Sequence, residues 1–467
     1  MTSANGKPDF YQRLFSLALP IVLQNLISTS LSFADTFMVG LWSSEALSAV
    51  TAANALLFLL QTAIFGVTSG FTVLVSQYWG RRDLKAISRC LGVVLYAGGG
   101  VIGLCVLLLI LFPRRSMALV TNDPLLIQAG AVYLRITAGG YLCNLLAATY
   151  VSLERSTGNS KLGTIIFSIS VALNTALNYC LIFGKFDFPA WGISGAAAAT
   201  LIARVSEVCM VLFFICKQRQ FPLYITELLR PGLFTLQLFL RYSLLILFNE
   251  FMWALGQSAF TAILGHASFS ADLLAAFAVI NSIDKLAMVV CYGLADATAI
   301  LLGQWLGKRI EKEDIYRLGC RLLRTAVLSG VILGAILGIL LPVLFRPFLF
   351  PLFNLNAYAA SAASWMCLFY LLQLPCRSFN NTVITGVFRS GGDICGAIAV
   401  DLIPLWFIAV PLTAFLIFVV QVPLPVICLG IYCENVCKMP LGMLRLRSRK
   451  WLRTLPANLT KQEDTTI

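Results

Sequence analysis

The sequence predicts an all-α polytopic membrane protein, with 12 transmembrane helices in two parallel-repeat six-helix bundles around a central cavity. Three observations support this prediction. The 467 residues are 59% hydrophobic and 12% charged, with a mean hydropathy of +0.86, whereas soluble domains are about 25% charged. Apolar runs long enough to cross a bilayer recur along the whole chain. The second half of the chain also repeats motifs of the first half.

Breaks of Gly, Pro or charged residues separate the apolar runs, each of which suits a crossing of about 20 residues. In the first half the runs cover 13–34, 51–76, 90–112, 126–150, 162–183 and 193–216. In the second half they cover 239–264, 273–303, 322–345, 359–387, 395–420 and 424–444.

The Lys and Arg residues lie mostly in alternate connections between these runs. The connections assigned to the cytoplasm hold many of them, whereas the opposite connections hold only Arg114, Arg115, Lys185 and Arg346. Since basic residues stay on the cytoplasmic side of a membrane protein, both termini are predicted to be cytoplasmic. An even number of spans agrees with this orientation.

Two motifs of the first half recur in the second half. GVTSGFTVLVSQYWGRR (66–82) aligns with GLADATAILLGQWLGKR (293–309) at an offset of 293 − 66 = 227. RSTGN (155–159) aligns with RSGGD (389–393) at an offset of 234, and Asn25 aligns with Asn249 at 224. Because six-span halves enter the membrane in the same orientation, this is a parallel repeat, typical of alternating-access transporters.

The repeat and the apolar runs predict four segments. Residues 1–216 form the first six-helix half, 217–238 a cytoplasmic linker, 239–446 the second half and 447–467 a disordered cytoplasmic tail. Trp42, Trp191 and Trp451 fall at predicted boundaries, where Trp often anchors a helix at the interface.

Composition excludes several classes of protein. The net charge of +13 is spread between apolar runs, so we predict no nucleic-acid partner. Most of the 14 Cys lie within apolar runs and the only His is His266, so we predict no metal site and no catalytic constellation of an enzyme. GQWLGK lacks the spacing of a phosphate-binding loop, so no nucleotide cofactor is expected.

An acid, Asp35, lies in SFADTFMVG (32–40) near the end of the first apolar run. Intramembrane acids are costly and usually face a partner or a cavity. Burial favours the neutral form of a carboxyl group, and a cation arriving nearby favours the ionised form. Asp35 could therefore exchange a proton for a cation. The alternative is an acid at the outer end of a helix, since Gly40 follows closely.

Several ordered blocks resemble the multidrug and toxic compound extrusion (MATE) family. They are DTFMVG followed by SSEALSAV (43–50), LVSQYWGRRD (74–83), NTALNYCLIFGKFDFPAWGISGAAAAT (174–200) and LLGQWLGKR (301–309). The resemblance covers nearly the whole chain. It implies a twelve-helix exporter that exchanges H⁺ or Na⁺ entry for the efflux of organic cations.

The resemblance also implies roles for particular residues. In the DinF-like branch the first-span acid, here Asp35, works with a fifth-span Asn and with an acid one turn later. This chain has Asn174 and Asn178 at those positions, so the second acid is absent. Glu250, in FNEFMWALG, resembles the seventh-span Glu of the NorM-like branch, and Asp393 is a looser match to its tenth-span Asp. The chain thus mixes features of both branches.

Other polar residues inside the runs are candidates for a second shell or for the lining of the cavity: Gln24, Asn25, Gln257, Asn281, Asp284, Asp296 and Asp401. Arg204 and Glu207, three residues apart in the sixth run, are predicted to form an internal ion pair. For Asn174 and Asn178 the alternative is polar packing between helices.

The sequence thus predicts a secondary active antiporter of the plasma membrane that is a monomer, with H⁺ or Na⁺ as its coupling ion and no cofactor. Asp35 and Glu250 are the predicted coupling sites, and a Na⁺ ion at either acid is the only metal considered. One alternative is a flippase for a lipid-linked saccharide, which would need cationic residues in its cavity, whereas this chain places mainly acids there, with Arg135 and Arg204 as exceptions. A membrane-embedded enzyme is the other alternative.

Overall fold

The computed structural model describes residues 7–217, 224–267, 270–308, 310–352 and 355–454. Within these residues the chain is helical and contains no β-strand. The first six long helical segments are α1 Lys7–Trp42, α2 Ser44–Gly80, α3 Leu84–Leu111, α4 (Pro124–Thr137 and Gly140–Thr157), α5 Lys161–Phe183 and α6 Ile193–Lys217.

The next six are α7 Leu233–Gly265, α8 Ser270–Gly307, α9 Lys312–Phe348, α10 Ala357–Arg389, α11 Ile394–Val420 and α12 Leu424–Arg447. Among the described residues, 11 helices are long and apolar enough to cross a membrane. The two parts of α4 meet at a bend of 42°, and counting them as one span gives 12. The prediction of an all-α polytopic membrane protein is therefore confirmed.

Local sequence signals set where several helices begin and end. The side chain of Ser43 accepts hydrogen bonds from the backbone N–H groups of Glu45 and Ala46 at the start of α2. Asp83 caps α3 in the same way. At the other end, Gly158 stops α4 with a φ of 109°, a left-handed conformation that glycine adopts without steric cost. The Gly in RSTGN is therefore a helix terminator.

The chain divides into two compact units, the first reaching to Leu247 and the second running from Phe248 to Leu455. The boundaries of the four predicted segments therefore remain a prediction. Within the predicted linker a short helix, Ile225–Leu229, forms, and α7 begins at Leu233. Residues 218–223 of that linker lie outside the described residues.

The short helix packs against α3 in the first unit. The guanidinium of Arg89 pairs with the Glu227 carboxylate at 2.5 Å, and the backbone N–H of Tyr224 donates to Ser88 Oγ at 3.2 Å. Gly92 lets the segment come close, because a Cβ at this position would lie 2.1 Å from the carbonyl oxygen of Leu228.

The segment after α12 makes a similar contact in the second unit. Trp451 has an exposed fraction of 0%, and its indole N–H donates to the Leu446 carbonyl at 3.2 Å. It packs against Gly319 of α9, which stands 319 − 92 = 227 residues after Gly92. Each half thus packs the segment that follows its sixth span against a glycine at the corresponding position of its third span.

Two expectations about this segment were wrong. Trp451 is buried in the protein and is not an interfacial anchor. The predicted disordered tail is ordered at its start, where the Arg453 backbone N–H donates to the Gly391 carbonyl at 3.1 Å. The start of the tail is ordered because Trp451, a large apolar side chain, follows the basic residues and is buried against α9. The rest of the tail, 455–467, lies outside the described residues.

Replacing Gly391 or Gly92 with Ala should destabilise the protein by about 1–3 kcal/mol, the usual cost of overpacking. A Cβ at Gly391 would lie 2.1 Å from the Trp451 carbonyl oxygen, so backbone must move in either variant. Thermal unfolding in detergent measures the effect. The matched control is Gly99→Ala in α3, where a Cβ meets nothing within 4 Å; equal melting temperatures for all three variants would contradict the prediction.

Candidate functional site

A proline in α1 helps to position α1 against α5. Pro20 has no backbone N–H, so the carbonyl of Ser16 lacks its partner within the helix. Ser160 Oγ donates to that carbonyl at 3.1 Å, just before α5 begins, and Thr164 Oγ1 donates to the Pro20 carbonyl at 2.8 Å. These two bonds fix α5 alongside α1 and thereby set the register of polar residues further along both helices.

One such group of polar residues surrounds Asp35. Asn178 Nδ2 donates to Asp35 Oδ1 at 2.5 Å and to Asn174 Oδ1 at 2.9 Å. Both Asn side chains are buried, and they lie one turn apart on α5. Turning the Asn174 amide over brings its nitrogen to 2.8 Å from the same carboxylate oxygen. Asp35 itself is half-buried, so the structure brings together the acid and both of its predicted partners.

A second charged group lies on α6. Arg204 pairs with Glu207 at 2.9 Å, which confirms the predicted ion pair. Glu207 has an exposed fraction of 1% and also accepts a hydrogen bond from Ser170 Oγ at 2.7 Å. The Arg204–Glu207 pair thus contacts α5 through the hydroxyl of Ser170.

The other candidates in the first half lie apart from Asp35. Gln24 is buried and accepts a hydrogen bond from the Arg155 guanidinium at the end of α4. Asn25 is half-buried. Arg135, weighed as a possible cavity cation, is exposed.

In the second unit Glu250 has a basic partner that its sequence neighbours did not reveal. Arg389 NH2 lies 2.6 Å from Glu250 Oε1, and Arg389 has an exposed fraction of 2%. The guanidinium of Arg389, at the end of α10, therefore reaches α7. A carboxylate held by a buried guanidinium is less available to another cation.

Asp284 is also paired. Its carboxylate lies 2.8 Å from Arg377 NH1 and accepts a hydrogen bond from the Tyr370 hydroxyl at 2.9 Å, both on α10. The remaining α7 and α8 candidates differ in exposure: Gln257 and Asp296 are half-buried and Asn281 is exposed.

Asp401 belongs to a buried charged group. Lys438 Nζ lies 2.6 Å from Asp401 Oδ1 and also pairs with Glu434, four residues earlier on α12. Asn249 of α7 donates to Asp401 Oδ2 at 2.8 Å. Glu434 and Lys438 were not among the predicted site residues, although this acid and base lie at i and i+4 within a predicted span.

Asp393 lies at the start of α11, away from these groups. Arg445 holds it with two hydrogen bonds, of 2.7 and 2.8 Å. Asp393 follows the turn made by Gly392, whose φ is 77°. Its bidentate pairing ties the start of α11 to the end of α12, so the looser match to a tenth-span acid describes a structural residue here.

In the part of the chain that the structure describes, no group of three or more His, Cys, Asp or Glu side chains is placed to hold a metal ion. The described Cys residues are all free thiols.

Comparisons with known proteins agree with this architecture. Residues 20–180 and 246–415, more than half of the chain, match the family model described as MatE. A probable multidrug resistance protein NorM of Thermotoga maritima is 23% identical and covers 95% of this chain and 94% of its own length. A probable NorM of Haemophilus ducreyi is 26% identical and covers 96% of each chain.

Solved structures show the same fold. A MOP superfamily transporter from Pyrococcus furiosus, described as having a binding pocket of reverse polarity, has a TM-score of 0.83 at 17% identity, covering 96% of this chain and 98% of that chain. The outward-facing conformation of a multidrug resistance MATE family transporter also gives 0.83, at 16% identity, covering 96% of this chain and 100% of that one.

The family match falls on both halves of the chain, and the helices, the repeat and the paired intramembrane charges agree with it. The chain therefore belongs to the MatE family of multidrug and toxic compound extrusion transporters, and it is a multi-pass membrane transporter and not an enzyme.

Proposed function

We propose that this protein is a secondary active antiporter that exports lipophilic, cationic organic compounds in exchange for H⁺ or Na⁺ by alternating access. The observation that carries the proposal is the placement of Asp35 within a membrane-spanning helix, in contact with Asn178 and beside Asn174. An ionisable group at such a position marks an ion or proton pathway more often than a structural contact.

The chemistry of Asp35 suits exchange. Asp35 accepts the Asn178 N–H bond, and this hydrogen bond supports the ionised carboxylate. Burial among the helices makes an ionised carboxylate without a cation costly. H⁺, Na⁺ or an organic cation can each neutralise the negative charge of Asp35. Competition of these cations for one carboxylate couples the entry of one to the exit of another.

Glu250 remains the weaker of the two predicted coupling sites. Its pairing with Arg389 at 2.6 Å already supplies a positive charge. A second cation at this carboxylate would have to displace a buried guanidinium, which then loses its partner. We therefore place the principal coupling step at Asp35, with Asn174 and Asn178 as its hydrogen-bonding partners.

The flippase alternative requires cationic side chains that are free to hold a pyrophosphate. Several cations within the described spans are instead paired with carboxylates, including Arg204 with Glu207, Arg377 with Asp284, Arg389 with Glu250, and Lys438 with Asp401. These pairs favour the antiporter. We propose further that the protein works as a monomer in the plasma membrane with both termini in the cytoplasm, and that it needs no cofactor beyond its coupling ion.

Transport by purified wild-type protein in proteoliposomes tests the proposal. Ethidium movement should depend on an imposed H⁺ or Na⁺ gradient, and reversing that gradient should reverse the direction of net ethidium transport. Applying the two gradients separately identifies the coupling ion. Ethidium movement that is indifferent to both gradients would contradict the antiporter assignment.

A further inference from the structure

The second unit contains a buried group with more acids than bases. Asp401, Glu434 and Lys438, hereafter the α11–α12 triad, are each less than 10% exposed. The ammonium of Lys438 contacts both carboxylates. With every group ionised, two negative charges face one positive charge, so the triad carries a net charge of −1.

The charged neighbours of the triad do not supply the missing positive charge. On α8 and α10, Asp284 and Arg377 neutralise each other at 2.8 Å. On α7 and α10, Glu250 and Arg389 do the same at 2.6 Å. On α12 the thiols of Cys433 and Cys437, next to Glu434 and Lys438 in the sequence, carry no positive charge in any protonation state. An uncompensated charge in this setting is costly, so a bound cation is needed.

Asn249 supplies a second, independent observation. It has an exposed fraction of 1%, and its amide nitrogen donates to Asp401 Oδ2 at 2.8 Å. Its amide oxygen is buried and makes no hydrogen bond within the described chain. If Asp401 takes up a proton and the amide turns over, this oxygen accepts the new O–H bond. The same amide therefore serves either protonation state of Asp401.

The geometry favours H⁺ over a metal cation. The ammonium of Lys438 already occupies the position between the two carboxylates that Na⁺ would take. A proton needs no coordination shell and can reside on one carboxylate oxygen while Lys438 stays in place.

The first unit holds charged groups of the same composition. There Arg204 pairs with Glu207 on its own helix, and the acid from another span, Asp35 of α1, contacts Asn178. Arg204 lies in the sixth span of its half and Lys438 in the sixth span of the other. Their separation, 438 − 204 = 234, equals the offset that aligns RSTGN with RSGGD. In each half, therefore, the sixth span contains a base paired with an acid of the same span, and a further acid lies on another span of that half.

We propose that the α11–α12 triad is a second proton-exchange site of this transporter. One proton forms an O–H bond with Asp401 or Glu434 in one state of the cycle. That bond breaks when the proton leaves to water in another state, and the carboxylate is left with the Lys438 ammonium. This inference rests on the proposed antiport and adds to it a separate site in the second half.

The test counts protons released when ethidium binds to purified protein in weakly buffered detergent solution, using a pH-indicator dye. Asp401→Asn and Glu434→Gln each leave one neutral ion pair with Lys438, so both variants should fold. Each should release about half as many protons per bound ethidium as wild type, because one of two sites is lost. Asp187→Asn, an exposed loop acid, is the matched control and should release the wild-type number.

Melting temperature and ethidium affinity, measured on the same samples, check that each variant is folded and binds the probe. Wild-type proton release by both triad variants would overturn the second site and leave the antiporter proposal standing. A wild type that binds ethidium and releases no proton would overturn proton exchange at both sites. A loss confined to one triad variant would contradict the charge balance behind the proposal, because either substitution leaves one carboxylate paired with Lys438.

Discussion

Asp35→Asn should abolish gradient-driven efflux of ethidium while leaving the protein folded. The amide keeps an oxygen that can accept the Asn178 N–H bond, but it cannot change its charge. A residue that stays neutral binds neither H⁺ nor Na⁺ in exchange for an organic cation. We expect the gradient-dependent initial rate to fall about 100-fold, near the upper end of typical coupling between two ligands. Everted vesicles with separately imposed H⁺ and Na⁺ gradients provide the measurement.

The matched control for this variant is again Asp187→Asn, which removes an acid from the exposed turn after α5. Asp187 has a φ of 62°, a conformation that Asn also tolerates, so the control should fold and transport normally. If Asp35→Asn transports at the wild-type rate under both gradients, Asp35 is not the coupling site. An equal loss in Asp187→Asn would point to a nonspecific effect of removing an acid.

Sequence patterns predicted contacts that are local in the helix. Asn174 and Asn178 share a face because they are four residues apart, and Arg204 pairs with Glu207 because they are three apart. The helices themselves followed from apolar runs, since each crossing must bury its backbone polar groups. The contact of Asn178 with Asp35, 143 residues away, came only from the family resemblance.

Contacts between distant helices could not be predicted in this way. Glu250 and Arg389 are 139 residues apart, and nothing in the sequence around either residue indicates the other. Asp401 and Asn249, 152 residues apart, present the same difficulty. A net count of acids and bases within the predicted spans would have indicated that Lys438 needs a partner.

These long-range pairs change the interpretation of the second half. No base lies near Glu250 in the sequence, whereas in the structure its carboxylate pairs with the buried Arg389, so we propose it as the weaker coupling site. The excess negative charge lies instead at Asp401 and Glu434, which share one ammonium. The charge balance around each carboxylate therefore favours the triad over Glu250 as the proposed second exchange site.

Lys438→Met should be strongly destabilising for the same reason. Met is similar in length and apolar, so it fills the space, but Asp401 and Glu434 lose their shared ammonium while remaining buried. Removing one partner of a buried ion pair typically costs about 3–5 kcal/mol, because the remaining charge is uncompensated. Chemical denaturation in detergent, followed by tryptophan fluorescence, measures the loss.

A charge-balance series separates this effect from a simple loss of packing. Adding Asp401→Asn to Lys438→Met removes one of the two unpaired charges, and adding Glu434→Gln removes the other, so stability should recover in two steps. A packing defect left by Met would persist through the whole series. Lys161→Met, at the exposed start of α5, is the matched control and should unfold like wild type. Full stability of Lys438→Met would show that the two carboxylates tolerate each other without the ammonium, which would remove the electrostatic basis for the triad.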